Sequence, residues 1–266
     1  MNMEEGSGVT ALVTGASSGI GYELAKIFAE NKYDVVLVAR TKPKLDEIAD
    51  DFRQCYGVKV YVMACDLSQP EACGYIYGQV NKIGVDVDVL VNNAGLGDWG
   101  PFIDSNWEKQ ENMLQLNVVN LTRLTRFFLP EMIKRRWGRV LNVASTAAFQ
   151  PGPLMSVYYA TKAYVLSFSS GIAQELKGTG VYVTCLCPGP TASGFPAAAA
   201  FPRGIRLTHG RRLPSPKEVA EYGYRAMLKG QTVAIHGFLN RLFVLSVRFS
   251  PQWLVLRIVH FIQEGI

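Results

Sequence analysis

The sequence predicts a doubly wound α/β domain, in which helices cover both faces of a parallel sheet. Three observations lead to this fold class. Short β-branched segments alternate with longer segments of helical period, which favours repeated strand–helix–strand units. Several of the strand segments are almost entirely apolar, as expected for strands buried on both faces. A glycine-rich turn joins the first strand segment to a helical segment.

Six segments fit buried strands of such a sheet. The second has apolar residues at five consecutive positions, and a glycine lies just ahead of four of the others, as is typical of a helix stop or a turn. The six predicted strands are Val9–Thr14, Asp34–Ala39, Val58–Ala64, Val87–Val91, Arg139–Ala144 and Val181–Cys187.

Length and composition limit the class of protein. The chain has 266 residues, of which 48% are hydrophobic and 18% charged, enough for one large domain with its own core over 1–266. The five cysteines form no C-x-x-C pair and are odd in number, which is unlike a secreted disulfide framework. The first residues are acidic and include no apolar run, so we expect no signal peptide and a cytoplasmic location.

Basic charge is concentrated near the C-terminus. Residues 203–266 contain ten Lys or Arg and three Asp or Glu, whereas the rest of the chain is nearly balanced. The sequence contains no recognisable nucleic-acid-binding module, so we do not expect such a partner. An anionic substrate group, a membrane surface and a protein partner all remain open. The most apolar stretch, Leu242–Ile262, is interrupted by arginines and a proline, which argues against a membrane span.

The turn TGASSGIG, at positions 14–21, points to a phosphate ligand. Its glycines let the backbone approach a pyrophosphate closely, and the helix that follows directs its N–H groups and positive dipole end at that anion. Three glycines alone would equally fit an ordinary tight turn, but their place between a buried strand and a helix favours binding. The expected cofactor contacts here are Gly15, Ser17, Ser18, Gly19, Ile20 and Gly21.

The end of the second strand indicates which dinucleotide is bound. An acidic residue about 20 positions beyond the turn usually grips a free ribose 2′-hydroxyl, but Ala39 stands there and Arg40 follows. A guanidinium suits a 2′-phosphate, so the predicted cofactor is NADP(H), with Lys44 and Ser17 assisting. The alternative is a solvated arginine at a strand end.

A series of motifs occurs between about residues 9 and 191: TGASSGIG, Asp66-Leu67, Asn92–Gly95, Asn117, Ser145, Tyr158–Lys162 and Pro188-Gly189. Taken together, they resemble those of the short-chain dehydrogenase/reductases, a Rossmann-type family. The stretch Asn92–Phe102 is most similar to the ketoreductase branch, which includes 3-ketoacyl and 17β-hydroxysteroid reductases.

The resemblance implies further cofactor contacts and an assembly. Asp66 would bond the adenine amino group and Leu67 would add a backbone contact. Either Thr191 or Ser193 would contact the nicotinamide carboxamide. A homo-oligomer, either dimer or tetramer, is also implied. The remaining contacts implied are Asn93, Ala94 and Gly95 along the adenine ribose and central sheet, and Pro188 and Gly189 at the nicotinamide.

Tyr158 and Lys162 are predicted to carry the proton chemistry. They are four residues apart in a long helical segment, which places both on one helix face. A phenol has an ordinary pKa of about 10, and a nearby lysine cation favours the phenolate, so we expect the pKa of Tyr158 to be lowered. Tyr159 competes for this role, but Ala163 stands four residues after it.

Two polar residues complete the expected catalytic set. Ser145 follows the fifth strand, where it would hold the substrate oxygen and stabilise developing charge. The resemblance implies that Asn117 holds a water that links Lys162 to solvent. Each also has a structural interpretation, Ser145 as a turn former and Asn117 as a residue that kinks its helix.

Other chemistries find little support. The three histidines, His209, His236 and His260, are far apart and match no metal-binding spacing, so no metal is predicted. Cys185 and Cys187 fit small buried core residues better than a reactive pair. No G-x-S-x-G elbow indicates a hydrolase.

Two regions are assigned to the substrate. The loop 190–216 is apolar and basic, which predicts binding of a hydrophobic carbonyl compound with or without an anionic group. A mobile solvated loop is the equal alternative. The tail 238–266 would cover the substrate cavity, pack between subunits or lie on a membrane, and the first two are favoured. The arginines of the loop are Arg203, Arg206, Arg211 and Arg212.

These observations predict an NADPH-dependent carbonyl reductase acting on a small-molecule carbonyl or alcohol pair. Two alternatives remain. One is an NAD(P)-dependent alcohol dehydrogenase working in the oxidative direction, because the same residues serve both directions. The other is a non-catalytic NADPH-binding scaffold, which the complete Asn-Ser-Tyr-Lys set disfavours.

Overall fold

The structure is a computed structural model that describes residues 6–200 and 212–264. Its strands are β1 (Thr10–Thr14), β2 (Asp34–Ala39), β3 (Val60–Ala64), β4 (Val89–Asn92), β5 (Gly138–Val143), β6 (Val181–Cys187) and β7 (Val233–Ile235). They form one parallel sheet in the order β3-β2-β1-β4-β5-β6-β7. The predicted doubly wound α/β fold is therefore confirmed.

Helices connect the strands and cover the sheet. They are α1 (Gly19–Glu30), α2 (Lys42–Tyr56), α3 (Ala72–Ile83), α4 (Trp107–Leu114), α5 (Leu121–Lys134), α6 (Ser156–Glu175), α7 (Phe195–Ala198), α8 (Pro216–Leu228), α9 (Phe238–Phe249) and α10 (Gln252–Gln263). Short 3₁₀ segments occupy Phe102–Asp104 and Thr146–Phe149, and a π-helical segment, Gln115–Asn120, joins α4 to α5.

The sheet lies between two apolar layers, and alternation along β1 shows how one strand serves both. Ala11 and Val13 belong to the core that includes Phe28 of α1. Leu12, which points to the opposite face, belongs to the core that includes Leu124 of α5. Successive side chains of a strand point to opposite faces, so a strand buried on both sides needs apolar residues throughout.

All six predicted strands are present, within two residues at each end, but β7 was not predicted. It has only three residues and lies at the sheet edge, too short to produce a periodic signal. The predicted irregular stretch between residues 190 and 216 contains the short helix α7, and the predicted tail contains the two helices α9 and α10.

The order of the strands indicates at which edge of the sheet a ligand binds. β1 lies between β2 and β4, so the chain turns in opposite directions on the two sides of β1. In open α/β sheets ligands bind outside the carboxyl ends of the strands at such a switch point. The turn after β1 and the Asn92–Gly95 segment after β4 meet at this edge.

Candidate active site

The hydroxyl of Thr14 joins the two strand ends at the switch point. Its Oγ1 donates to the carbonyl oxygen of Val91 at 3.1 Å and accepts from the backbone N–H groups of Asn93 and Ala94 at 2.9 and 3.1 Å. The Asn93 side chain also bonds to Thr14: its Nδ2 donates to the Thr14 backbone carbonyl at 2.9 Å. These bonds fix the segment after β4 against the glycine-rich turn.

The glycines of the turn leave space that any side chain would fill. Gly15 has a φ of +67°, and a Cβ at that position would lie 2.7 Å from Asn93 Nδ2. A Cβ at Gly21 would overlap both Asn93 Nδ2 and the carbonyl of Gly15. Gly19 also has a positive φ, +58°. The turn therefore needs glycine on steric grounds, as a backbone that approaches a ligand does.

The first turn of α1 is left available for an anion. The N-cap residue Ser18 makes no side-chain capping bond, and no acidic residue lies in the first helical turn, which contains Ile20 and Gly21. Ser17 is half-buried beside it. Free N–H groups and a positive helix end fit the pyrophosphate of a dinucleotide, so the residues present suit such a cofactor.

At the end of β2, one cationic side chain has no hydrogen-bonding or ion-pair partner among the described residues. Arg40 is exposed directly after the buried Ala39 and makes no hydrogen bond or ion pair to the described residues. The other predicted cation, Lys44, forms an exposed ion pair with Glu47 at 2.8 Å. Arg40 is therefore the guanidinium that stands ready for a phosphate at this strand end.

The residues expected around the adenine have well-defined partners. Asp66 accepts from the backbone N–H and the hydroxyl of Ser68, both at 2.9 Å. The carbonyl of Leu67 accepts from Asn120 Nδ2 at 2.7 Å, so that backbone oxygen is already engaged. A Cβ at Gly95 would lie 3.4 Å from Lys162 Nζ, which shows how near this segment comes to the catalytic helix.

Helix α6 brings the proposed catalytic residues to the same edge. Tyr158 is 9% exposed, and the Ser145 side chain lies close enough to its hydroxyl to affect the pKa of the phenol. Lys162 is 5% exposed; its Nζ donates to the carbonyl of Val143 at 2.9 Å and lies 5.7 Å from the centre of the Tyr158 ring. Ser145 follows β5 and also accepts from the Ala147 N–H at 3.1 Å.

The expected lowering of the Tyr158 pKa is wrong for this structure. Burial raises the pKa of Tyr158 above its ordinary value, and the nearby Ser145 side chain only partly opposes that rise. Burial also lowers the pKa of Lys162 to about 8. Desolvation disfavours the charged form of both groups and is the largest cause of each shift. Tyr158 therefore holds its proton at neutral pH.

Asn117 lies in the π-helical segment and is fully buried. Its Oδ1 accepts from the Leu96 N–H at 2.9 Å, and its Nδ2 donates to the Leu96 carbonyl at 2.9 Å and to Thr161 Oγ1 at 3.0 Å. These contacts tie the segment after β4 to α6 one residue before Lys162. The amide of Asn117 also lies near Lys162, since Asn117 Oδ1 and Lys162 Nζ would each be 3.4 Å from a Cβ at Gly95.

The residues expected at the nicotinamide follow β6. Pro188 is buried and its carbonyl accepts from the Thr146 N–H at 2.8 Å. Thr191 Oγ1 donates to the carbonyl of Gly189 at 3.0 Å, and Ser193 Oγ accepts from the Phe195 N–H at 3.4 Å. Of the four loop arginines only Arg212, which is exposed, is described; Arg203, Arg206 and Arg211 lie outside the described residues.

Sequence reasoning missed how the C-terminal helices complete the site. Gln263 of α10 is 1% exposed, and its Nε2 donates to the Tyr159 hydroxyl at 2.6 Å. The backbone carbonyl of Gln263 accepts from Trp99 Nε1 at 3.2 Å. The Phe195 ring of α7 lies 5.3 Å from that of Tyr158. Tyr159 is thus held by a partner 104 residues away in the chain, which no local spacing could have revealed.

A buried polar chain behind α6 was also not predicted. Asn92 donates to Asn142 Oδ1 at 2.9 Å, Asn142 donates to Ser169 Oγ at 2.9 Å, and Ser169 donates to the Val165 carbonyl. It fastens α6 to β4 and β5. Cys185 and Cys187 are fully buried, as expected, with their sulfurs 3.8 Å apart.

Comparison with known proteins identifies the family. The family model described as short chain dehydrogenase matches residues 9–200. The chain belongs to this family. A very-long-chain 3-oxoacyl-CoA reductase of Anas platyrhynchos is 37% identical over 189 residues, which are 69% of this chain and 60% of that protein. The match thus spans less than two thirds of that relative's length.

Solved structures agree with this assignment. A short-chain dehydrogenase from Sphingobium yanoikuyae in complex with NADPH has a TM-score of 0.81 and 31% identity, covering 93% of this chain and 95% of the other. A structure of a 7β-hydroxysteroid dehydrogenase has a TM-score of 0.86 and 27% identity, covering 97% and 99%. These two neighbours therefore share the fold of this chain over almost its whole length.

Two kinds of site are absent from the part of the chain that the structure describes. None of the helices in residues 6–200 and 212–264 combines the length and the apolar character needed to cross a membrane. Within the same ranges, no three His, Cys, Asp or Glu side chains are grouped so that they could hold a metal ion.

Proposed function

We propose that this short-chain dehydrogenase is an NADPH-dependent ketoreductase that reduces a hydrophobic ketone of the 3-ketoacyl or steroid class. The observation that carries this proposal is the buried Tyr158, which lies near the Ser145 side chain and one helical turn from Lys162. NADPH, when bound, supplies a hydride to the ketone carbon. The protein must therefore orient the ketone and provide a proton to its oxygen.

Tyr158 is suited to donate that proton. Because burial keeps its phenol protonated at neutral pH, the hydroxyl is an acid ready for transfer. Ser145 lies near that hydroxyl, so a ketone oxygen placed between them would be held by both groups. The raised pKa of Tyr158 keeps the phenol protonated, which is the form that a reduction needs at its start.

Lys162 and Asn117 are positioned to restore the proton. Lys162 Nζ is anchored by the Val143 carbonyl, and its lowered pKa of about 8 makes it able to release and regain a proton near neutrality. Asn117 lies beside it through Thr161, and we assign it to the route by which protons reach Lys162 from solvent.

Arg40 supports the preference for NADPH. Ala39 has no group to accept a hydrogen bond from a ribose hydroxyl, and Arg40 offers an exposed guanidinium in the adjacent position. Charge-assisted contacts between a guanidinium and a phosphate are strong and geometrically specific. The structural neighbour from Sphingobium yanoikuyae was solved with NADPH, which agrees with this choice.

The walls of the site support a hydrophobic substrate. Tyr158 and Tyr159 belong to an apolar cluster with Met155, Val255 and Val259, and Trp99, Val247 and Phe195 pack against it. Apolar walls with a few placed polar groups are typical of sites for small hydrophobic ligands. The names of the duck relative and the hydroxysteroid dehydrogenase neighbour also refer to ketones or alcohols on large apolar skeletons.

The first experiment compares the two adjacent tyrosines. NADPH consumption is measured with aliphatic, aromatic and steroid ketones for the wild type, Tyr158→Phe and the matched variant Tyr159→Phe. We expect Tyr158→Phe to lower kcat about 10²- to 10⁴-fold, the usual size of general acid catalysis, and Tyr159→Phe to lower it less than about tenfold. Unchanged turnover in Tyr158→Phe would remove the proposed acid, and with it the proposed reaction.

A second experiment tests the cofactor preference. Arg40→Ser should raise the KM for NADPH about tenfold or more, because charged hydrogen bonds contribute about 1.5–3 kcal/mol, and should leave the KM for NADH unchanged. Lys42→Ser serves as the matched control, since Lys42 is nearby, exposed and paired with Asp46. Equal effects of Arg40→Ser on both cofactors would contradict the assignment of Arg40 to the 2′-phosphate.

A further inference from the structure

Helix α9 has an apolar stripe that nothing in the described structure covers. Phe238, Leu242, Leu245 and Phe249 are 72%, 47%, 53% and 79% exposed. Their spacing of four, three and four residues places them on one face of the helix. Contiguous exposed apolar patches of this kind mark interaction surfaces of proteins rather than ordinary solvent-facing helix.

The opposite faces of α9 and α10 are apolar as well. Val247 of α9 and Val255 and Val259 of α10 pack into the cluster that contains Tyr158 and Tyr159. Apolar residues therefore lie on two opposite sides of α9, which also carries two arginines. The α9–α10 hairpin consists of these two helices and the two residues that join them. Its inner face packs on the cluster around Tyr158, so the outer stripe is left for a partner of its own.

The charges on the hairpin indicate which partner it suits. Neither helix contains an acidic residue, whereas Arg248 and Arg257 are exposed. Arg241 is exposed as well, and its guanidinium donates to the Ile235 carbonyl and the Tyr222 hydroxyl. Trp253 is 60% exposed, and the Arg257 guanidinium lies 5.7 Å from the centre of its ring. Tryptophan and arginine beside exposed apolar residues are the composition of helices that lie in the headgroup layer of anionic membranes.

We propose that the α9–α10 hairpin docks flat on an anionic lipid bilayer, with the stripe in the acyl boundary and the arginines at the phosphates. Each helix has twelve residues, too few to span a bilayer, so contact along the surface is the geometry available to them. A second copy of the chain is disfavoured as the occupant, because a two-fold contact between stripes would bring the arginines of two acid-free helices together.

Docking in this way would place the substrate site next to the lipid. Val247, on the side of α9 away from the stripe, packs against the cluster that contains Tyr158, so α9 lies between the stripe and that cluster. The lipid contact itself does not depend on the proposed reaction, since it rests only on the outer face of the hairpin.

The test is co-sedimentation of the full chain with vesicles of phosphatidylcholine alone or mixed equally with phosphatidylglycerol. We expect binding to the mixed vesicles that weakens as salt is raised. Phe238→Ser combined with Phe249→Ser should reduce the vesicle affinity at least about tenfold, because two phenyl groups leave the acyl boundary. Tyr75→Ser, which removes a 48% exposed aromatic residue from α3, is the matched control and should bind like the wild type.

A spectroscopic measurement keeps the proposal testable if the double variant folds poorly. The emission of Trp253, taken as the difference between the wild type and Trp253→Phe, should shift to the blue on addition of mixed vesicles and be quenched by brominated acyl chains. Absence of vesicle binding by the wild type would overturn the proposal. So would a stable dimer in sedimentation velocity that the double variant converts to a monomer without any loss of lipid binding.

Discussion

The two ends of the active site are built in different ways. At the cofactor end, the glycine-rich turn and the segment after β4 are locked by main-chain and short side-chain bonds, and a single methyl group on Gly21 would collide with Asn93. At the substrate end, α7 and α10 present large apolar side chains, tied to the catalytic helix by the Gln263–Tyr159 hydrogen bond.

This difference explains which parts of the site are visible in the sequence. A backbone that must pass within contact distance of another backbone accepts only glycine, so the cofactor end leaves a motif. An apolar wall accepts many combinations of Val, Leu, Phe and Trp of about the right volume, so the substrate end leaves none. Chemistry at the first end is therefore more predictable than specificity at the second.

Among the substitutions that compare the two ends of the site, the largest effect is expected from adding a methyl group at the cofactor end. Gly21→Ala should lower the free energy of unfolding by about 1–3 kcal/mol, the usual cost of overpacking, and weaken NADPH binding about tenfold or more. Urea unfolding and fluorescence titration with NADPH measure the two effects. The matched control is Gly74→Ala in α3, where an added Cβ meets nothing within 4 Å.

Gly74→Ala should instead raise the free energy of unfolding by about 0.5–1 kcal/mol, because alanine loses less backbone entropy in a helix. If the two substitutions had similar effects on stability and cofactor binding, the steric account of the turn would fail.

A smaller effect is expected from Lys162, which lies between the two ends, on the pH dependence of the free energy of unfolding. Its pKa is lowered in the folded protein to about 8, so burying its charge destabilises the fold fully below pH 8, and the penalty fades as pH rises toward the unfolded value. The free energy of unfolding of the wild type should therefore gain about 1 kcal/mol between pH 7 and pH 9 relative to Lys162→Met. Urea unfolding of both proteins at the two pH values measures it.

Both proteins share the same cysteines and other tyrosines, so their titration cancels in that comparison. Parallel pH profiles for the wild type and Lys162→Met would show that the lysine charge is solvated rather than buried.

The smallest effect is expected at the substrate end. Gln263→Leu removes the donor to Tyr159, a bond of about 1 kcal/mol, and should raise the KM for bulky ketones a few-fold while kcat stays within about twofold. Gln263 acts as a positioning residue, so its effect must pass through Tyr159. In a double-mutant cycle, Tyr159→Phe should therefore abolish any further effect of Gln263→Leu. Additive effects of the two substitutions on KM would contradict the claim that Gln263 acts through Tyr159.

Local patterns predicted the sheet, the long helix α6 and the edge at which the residues meet, because each depends on periodicity or on glycine. They did not predict the three-residue β7 or the approach of Gln263, since one is too short and the other is a long-range contact. The direction of the Tyr158 pKa was wrong because spacing reveals a neighbouring charge but not burial. Lys44 was assigned to the cofactor, but its pairing with Glu47 depends on rotamers that the sequence does not specify.

The π-helical segment Gln115–Asn120 sits between α4 and α5 without a break in the helical path, and it carries Asn117 to the site. A π turn holds one residue more than an α turn. Deleting a single residue there would remove the extra residue that the wider turn absorbs, so the winding would become regular and the flanking helices would keep their relative orientation. Asn117 would then lose its place against Thr161 while both flanking helices stayed intact, so this contact depends on one inserted residue rather than on the packing of the helix.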